Sequence, residues 1–263
     1  MKFVDWTQRH FGKTISKYGY RFISLRVGDE EVYFLNFGYE EDPPMDLNLK
    51  PEDEPDRYSI QLYHRTATQV DLTGKKVLEV SCGHGGAASY IMRYLHPAQY
   101  TGLDYNPAGI EYCKRKHKLP GLDFVHGDAE DLPFPDGSFD AVINVEAAHL
   151  YPNYPRFLDE VARVLKPGGH FLYADLRDRK DLAEWETDMD NSSLRRVAER
   201  NIDADVLRGL EKKSPRVNAQ IEIITPRPFR WIGKQIGGSE GGGLHKEVKD
   251  GRLDYRIFLF VKD

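Results

Sequence analysis

Val77-Leu78-Glu79-Val80-Ser81-Cys82-Gly83-His84-Gly85-Gly86 decides how the rest of this chain is read. An apolar run ends in a glycine turn, and the small residues Ala87, Ala88 and Ser89 open a helix behind it. Such a junction suits a nucleotide cofactor, because glycines let the backbone approach the ligand closely. Gly83-x-Gly85-x-x-Ala88 also fits the dinucleotide pattern G-x-G-x-x-G/A. Glu79 argues against that reading, since a carboxylate at the strand end repels a pyrophosphate and welcomes a cation. The cofactor expected here is therefore S-adenosylmethionine, whose amino group and sulfonium are positive, with S-adenosylhomocysteine as the product.

Four more segments extend the pattern. Thr101-Gly102-Leu103-Asp104 ends a second apolar strand about twenty residues after the glycines, where an acid is placed to hydrogen-bond a ribose diol. Asp104 alone would serve NAD equally well. Phe124-Val125-His126-Gly127-Asp128-Ala129 gives a third strand and an acidic turn suited to an adenine amino group. Phe139-Asp140-Ala141-Val142-Ile143-Asn144-Val145-Glu146 is a fourth strand, and Leu165-Lys166-Pro167-Gly168-Gly169-His170-Phe171-Leu172-Tyr173-Ala174-Asp175 reads as a helix end, a tight turn and a fifth. In this order the five motifs resemble the class I S-adenosylmethionine-dependent methyltransferases. The resemblance implies an α/β fold: a seven-stranded, mostly parallel Rossmann-like sheet with an N-terminal cap and a helical insertion after strand five. It also implies a cofactor set of Tyr39, Glu79, Ser81, Gly83, Gly85, Asp104, Tyr105, Asp128, Ala129 and Asn144. Ser81 stands where that family usually has glycine.

Phe34-Leu35-Asn36-Phe37-Gly38-Tyr39-Glu40-Glu41-Asp42-Pro43-Pro44-Met45-Asp46-Leu47 and Leu62-Tyr63-His64-Arg65-Thr66-Ala67-Thr68-Gln69-Val70-Asp71-Leu72, together with the glycine turn, narrow the likeness. From about residue 30 to about residue 210 the chain resembles the phthiotriol/phenolphthiotriol dimycocerosates methyltransferase family, whose relatives O-methylate lipids, fatty acids and glycolipid sugars. The resemblance implies O-methyl transfer to a lipid, polyketide or glycosylated small molecule.

At 263 residues the chain reads as a single domain with a substantial cap. The expected divisions are a cap over 1–70, a cofactor-binding core over 71–176, a helical lid over 177–235 and a closing segment over 236–263. With 37 basic and 42 acidic residues the net charge of −5 gives no polyanion footprint, so nucleic acid is not an expected partner. Two cysteines, Cys82 and Cys113, lie in motifs with no reason to cross-link, which favours a reducing cytoplasm. No apolar run approaches the roughly 18 residues of a bilayer span.

Residues 1–27 are basic and aromatic: Lys2, Arg9, Lys13, Lys17, Arg21 and Arg26 face one acid, Asp5. Either this segment docks on a membrane or lipid carrier, or it packs as an arm on the core or on a second copy in a homo-oligomer. Between Glu40 and Pro55 an acidic loop is broken by prolines and should cross the surface near the cofactor. Strands then alternate with helices, including one that opens at Pro107 and one from Pro155 to Lys166. Beyond Arg177 the charged stretches Asp181–Asp190 and Ser193–Lys213 read as helices, and Asp254–Val261 reads as a closing strand. Asp250-Gly251 fits a hairpin turn or the end of a short helix.

An aliphatic hydroxyl gains roughly 10²- to 10⁴-fold from a placed general base, whereas a carboxylate acceptor needs none. His149 follows strand four and Asp175 ends strand five, both on the carboxyl edge where open α/β sheets bind ligands. In the sugar and polyketide O-methyltransferases that this chain resembles, the matching positions are the catalytic pair: the imidazole takes the proton, and the acid orients it or touches substrate. A capping or packing role is the alternative for each. Tyr39 matches a cap position that contacts cofactor in similar enzymes, and core packing is its alternative. Trp185, Phe229 and Trp231 are candidates for lining an apolar cleft or for packing a lid. No clustered carboxylates suggest a metal. The rival functions are a carboxyl or carbon methyltransferase and a silent cofactor-binding partner or cyclase.

Overall fold

A computed structural model of the chain describes residues 32–225, 227, 230–231 and 240–263. The basic segment 1–27, Phe229 and the glycines before residue 240 lie outside the described residues. Five strands, β1 (Lys76–Val80), β2 (Gln99–Asp104), β3 (Leu122–His126), β4 (Phe139–Val145) and β5 (Leu165–Asp178), pair in parallel. The last strand, β7 (Leu253–Lys262), runs antiparallel between β5 and β6 (Leu194–Asn201). The order is β3-β2-β1-β4-β5-β7-β6, the seven-stranded mostly parallel sheet expected from the motifs.

Strand alternation divides the core between the two faces. Val77, Tyr100, Ile143 and Leu172 pack on one side with the helices α1 (Arg57–Ala67) and α2 (Gly86–Tyr94). On the other side Leu78, Val142, Phe171 and Phe258 meet Phe157, Leu158, Val161 and Ala162 of α4 (Tyr154–Val164). That spacing keeps one helical stripe on the sheet. The helix α3 (Pro107–Lys116) begins as its sequence asks, with Pro107 in the first turn and the Asn106 side chain accepting the Ala108 N–H at 3.2 Å. Pro167-Gly168-Gly169 does not separate helix from strand. It is carried inside β5 as an irregularity, Leu165 pairing with Phe139 and His170 already with Ala141.

After β5 come α5 (Leu182–Asp190), β6, and α6 (Asp203–Ile224), which runs on through Pro215. The helical reading of Ser193–Lys213 is thus corrected over 194–201, which form an edge strand. The apolar β7 offers an unpaired edge, and charges suited to a solvated helix suit a solvated edge as well: Arg196 pairs with Glu186 at 2.7 Å and Arg256 with Glu199 at 2.5 Å. Asp250 and Gly251 close a short helix, α7 (Gly243–Lys249), the Gly251 N–H donating to the Val248 carbonyl at 3.0 Å. Among the described residues no helix is long and apolar enough to cross a membrane.

Candidate active site

The chain winds from β1 to β2 on one side and places β4 on the other, so the carboxyl ends of β1 and β4 diverge at a crevice. A cavity of about 620 Å³ opens there, within the range of small-molecule sites. Both strands end on a left-handed residue that is not glycine, Ser81 with φ 62° and Glu146 with φ 52°. Each such residue costs about 1–3 kcal/mol unless its surroundings hold it. Ser81 is held by Tyr151, whose hydroxyl lies 2.6 Å from Oγ and accepts the Asn144 amide at 2.9 Å. Glu146 is held by its own carboxylate, which accepts the Phe37 N–H and the Tyr255 hydroxyl.

Asp104 closes β2 at the cavity wall. One oxygen accepts the Gly83 N–H at 2.9 Å and the other the Asn106 N–H at 2.8 Å, so the carboxylate spans the glycine turn. Burial pushes it above the usual carboxylate range and the two N–H groups draw it back. Glu79 lies behind the wall, buried, with Oε2 accepting the Tyr100 hydroxyl at 2.9 Å and Oε1 without a hydrogen-bond partner. Burial pushes this carboxyl up to about 8.

His149 sits in the short turn after β4 and lines the cavity. Its Nδ1 is 2.7 Å from Asp175 Oδ1, and its backbone N–H donates to Oδ2 at 2.9 Å. Asp175 is completely buried, so of its two expected roles the geometry supports orienting the imidazole and not touching substrate. The Tyr173 hydroxyl donates to it at 3.0 Å and Arg177 at 3.1 Å. Burial alone would raise Asp175, but His149, Arg177 and these hydrogen bonds hold it well below the usual carboxylate range.

Gly83, Ser81, Tyr105, Asp128 and Ala129 line the cavity. Gly85 and Asn144 stand behind it: a Cβ on Gly85 would meet His117 at 2.8 Å, and the Asn144 amide supports Val80 and Tyr151. Tyr39 is corrected. Its ring is in the core and its hydroxyl donates to Glu41 at 2.7 Å, because the chain turns at Gly38 before reaching it. The cap residues on the cavity are Leu35, Asn36, Phe37 and Tyr63. Trp185 is also in the core, edge-on to Phe258, and Trp231 is exposed and away from the cavity.

Residues 78–173 match the family described as a methyltransferase domain. Over 251 residues the chain is 54% identical to the phthiotriol/phenolphthiotriol dimycocerosates methyltransferase of Mycobacterium tuberculosis (strain ATCC 25618 / H37Rv), covering 95% of this chain and 93% of that one. The chain belongs to the phthiotriol/phenolphthiotriol dimycocerosates methyltransferase family. It is an S-adenosylmethionine-dependent methyltransferase. A fatty-acid O-methyltransferase of Mycolicibacterium smegmatis is 50% identical over 244 residues, covering 92% of this chain and 88% of that one. The fold is shared with the [4+2]-cyclase SpnF, at a TM-score of 0.72 and 18% identity, covering 95% of this chain and 96% of that one.

The residues of this methyltransferase fit its cofactor. Glu79 Oε1 is a buried acceptor without a donor, suited to the positive end of the ligand. Asp104 has lone pairs left for a ribose diol. The glycine turn is open where Gly83, at φ 55°, meets the cavity. Among the wall elements that the motifs do not announce are Glu146, Tyr151 and the Asn36–Phe37 peptide. Glu146 and Tyr151 flank His149 in the same short stretch, but nothing in the residue order announces the left-handed turn that directs Glu146 into the wall.

Proposed function

We propose that this enzyme methylates a hydroxyl of a lipid-like acceptor, with His149 as general base and Asp175 as its orienting acid. The observation that carries this is the His149–Asp175 pair: a cavity-lining imidazole on a fully buried carboxylate at 2.7 Å. Bonding through Nδ1 leaves Nε2 as the nitrogen able to take a proton. S-adenosylmethionine, when bound, supplies a methyl group on an electrophilic sulfonium. Asp104 and Asp128, on the wall, would hold it by the ribose and the adenine, and Glu79 behind the wall would favour its positive headgroup. The protein's own contribution is to place the hydroxyl against the imidazole, accept its proton and keep water out with Phe37, Leu150 and Tyr151.

The lipid-like acceptor is supported by the names of the relatives in M. tuberculosis and M. smegmatis. The latter, a fatty-acid O-methyltransferase, also favours a second reading, in which the acceptor is a carboxylate and no base is required. Labelled S-adenosylmethionine offered with oleyl alcohol and with oleic acid separates the two. Under the hydroxyl reading the alcohol is methylated and His149→Ala lowers that turnover about 10²- to 10⁴-fold. Methylation of the acid alone, undiminished in His149→Ala, would replace it with the carboxyl reading.

A further inference from the structure

The peptide group between Asn36 and Phe37 is gripped from both sides by charged side chains. Its N–H donates to both oxygens of Glu146, at 3.0 and 2.9 Å. Its carbonyl accepts from Nζ of Lys213, which also donates to Ser59 Oγ at 3.0 Å. Glu146 comes from the end of β4 and Lys213 from α6, so two elements distant in sequence converge on one amide of the cap. The Tyr255 hydroxyl of β7 steadies the grip on Glu146 Oε1 at 2.7 Å. The Asn36 side chain adds a bond to the Ser59 carbonyl at 2.9 Å.

The path of the cap is fixed a step further along. Residues 38 and 39 cross α6 so closely that a Cβ on Gly209 would lie 2.2 Å from the Tyr39 backbone nitrogen. A strap that merely covers the surface needs none of this. A lysine only 9% exposed and a left-handed glutamate are each unfavourable alone, and removing either leaves one end of the peptide, the Asn36 carbonyl or the Phe37 N–H, without its partner. What the arrangement fixes is the position of Asn36 and Phe37, which share the cavity wall with Glu146 and His149.

We propose that Glu146 and Lys213 are positioning residues that clamp the Asn36–Phe37 peptide as the wall of the acceptor end of the cavity, and so set where the methyl acceptor lies relative to His149. The proposal rests on the methyl-transfer reading above but holds for a hydroxyl or a carboxylate acceptor. Glu146 and Lys213 act through the peptide they hold.

The test uses the full chain with oleyl alcohol and oleic acid as probes. Their affinity is measured calorimetrically in the presence of S-adenosylhomocysteine, so that binding is read whether or not a methyl group moves. Amide exchange of the 32–41 segment is followed alongside. Glu146→Ala is expected to weaken the bound probe about 10-fold or more and to speed exchange at Phe37 by a similar factor, with S-adenosylhomocysteine affinity within about twofold of wild type. Glu146→Gln keeps one acceptor oxygen and should recover most of both. Lys213→Met should move probe affinity and exchange in the same direction as Glu146→Ala. If Glu146→Ala does not fold, Glu146→Gln and Lys213→Met carry the comparison with smaller changes of the same sign. Faster exchange with unchanged probe affinity, or equal losses for probe and S-adenosylhomocysteine, would overturn the clamp. A wild type that binds neither probe would instead overturn the lipid-like acceptor.

Discussion

Asp175 has no surface in the cavity, yet the Tyr173 hydroxyl, Arg177, the Leu176 N–H and two nitrogens of His149 converge on it, so in the proposed chemistry it acts through His149. On the proposed chemistry, His149→Ala should lower turnover of an alcohol acceptor about 10²- to 10⁴-fold and leave S-adenosylmethionine affinity within about twofold, read by steady-state kinetics and calorimetry. Asp175→Asn should cost less turnover but more stability, about 3–5 kcal/mol, because it leaves the Arg177 guanidinium buried without its anion. An Asp175→Asn enzyme as stable as wild type to urea would contradict the buried pair. Glu79 yields a pH prediction. With its carboxyl pushed up to about 8 it holds a proton at neutral pH, and a cationic headgroup favours the ionised form. Binding of S-adenosylmethionine should therefore release protons below pH 8, and affinity should rise with pH up to about 8 and then level off. Calorimetry in buffers of different ionisation enthalpy measures that release, and Glu79→Gln should abolish it.

At the scale of elements, the close crossing of the cap and α6 sets two effects against each other. Helix propensity alone favours alanine over glycine by about 0.5–1 kcal/mol. At Gly209 the added Cβ would stand 2.2 Å from one backbone atom and 2.5 Å from another, and neither can swing aside. Overpacking of about 1–3 kcal/mol therefore wins, so Gly209→Ala is expected to lower the urea midpoint although the position is helical. A midpoint at or above that of wild type would mean that the cap does not cross there. Edge strand β6 shows the same dominance of tertiary context. Its residues are charged enough to form a solvated helix, and its pairing to β7 decides otherwise.

For the whole molecule, three buried carboxyls pull stability in opposite directions with pH. Asp175 is held below its ordinary range, so its contribution is present above the unfolded carboxyl value and is lost as pH falls through the folded one. Glu79 and Glu146 are raised, to about 8 and about 7, by burial. Their contributions are complete below the unfolded value of 4.5 and are lost as pH rises toward those folded values. The Glu79 contribution should therefore fall between pH 5 and pH 8, so the stability difference between wild type and Glu79→Gln should change over that range by something on the order of 4 kcal/mol, at about 1.4 kcal/mol per pKa unit. Urea unfolding of the two proteins at both pH values tests this, and parallel pH profiles would refute it.

The residue order by itself determined the cofactor half of this protein. Alternating apolar runs fix strand faces, Gly83 and Gly85 fix the turn, and the acids at 79, 104 and 128 mark successive strand ends, all through contacts local in sequence or imposed by the right-handed crossover. His149 and Asp175 were legible as a pair for the same reason: adjacent parallel strands bring their following residues to one edge. The cap side of the cavity was decided only by tertiary structure. Whether Tyr39 or Phe37 reaches the cavity depends on where the cap crosses α6. Whether 194–201 is helix or strand depends on the free edge of β7, and Glu146 faces the cap because distant donors hold a backbone conformation that its own side chain disfavours. Each is a contact between segments far apart in the chain, for which local pattern carries no signal.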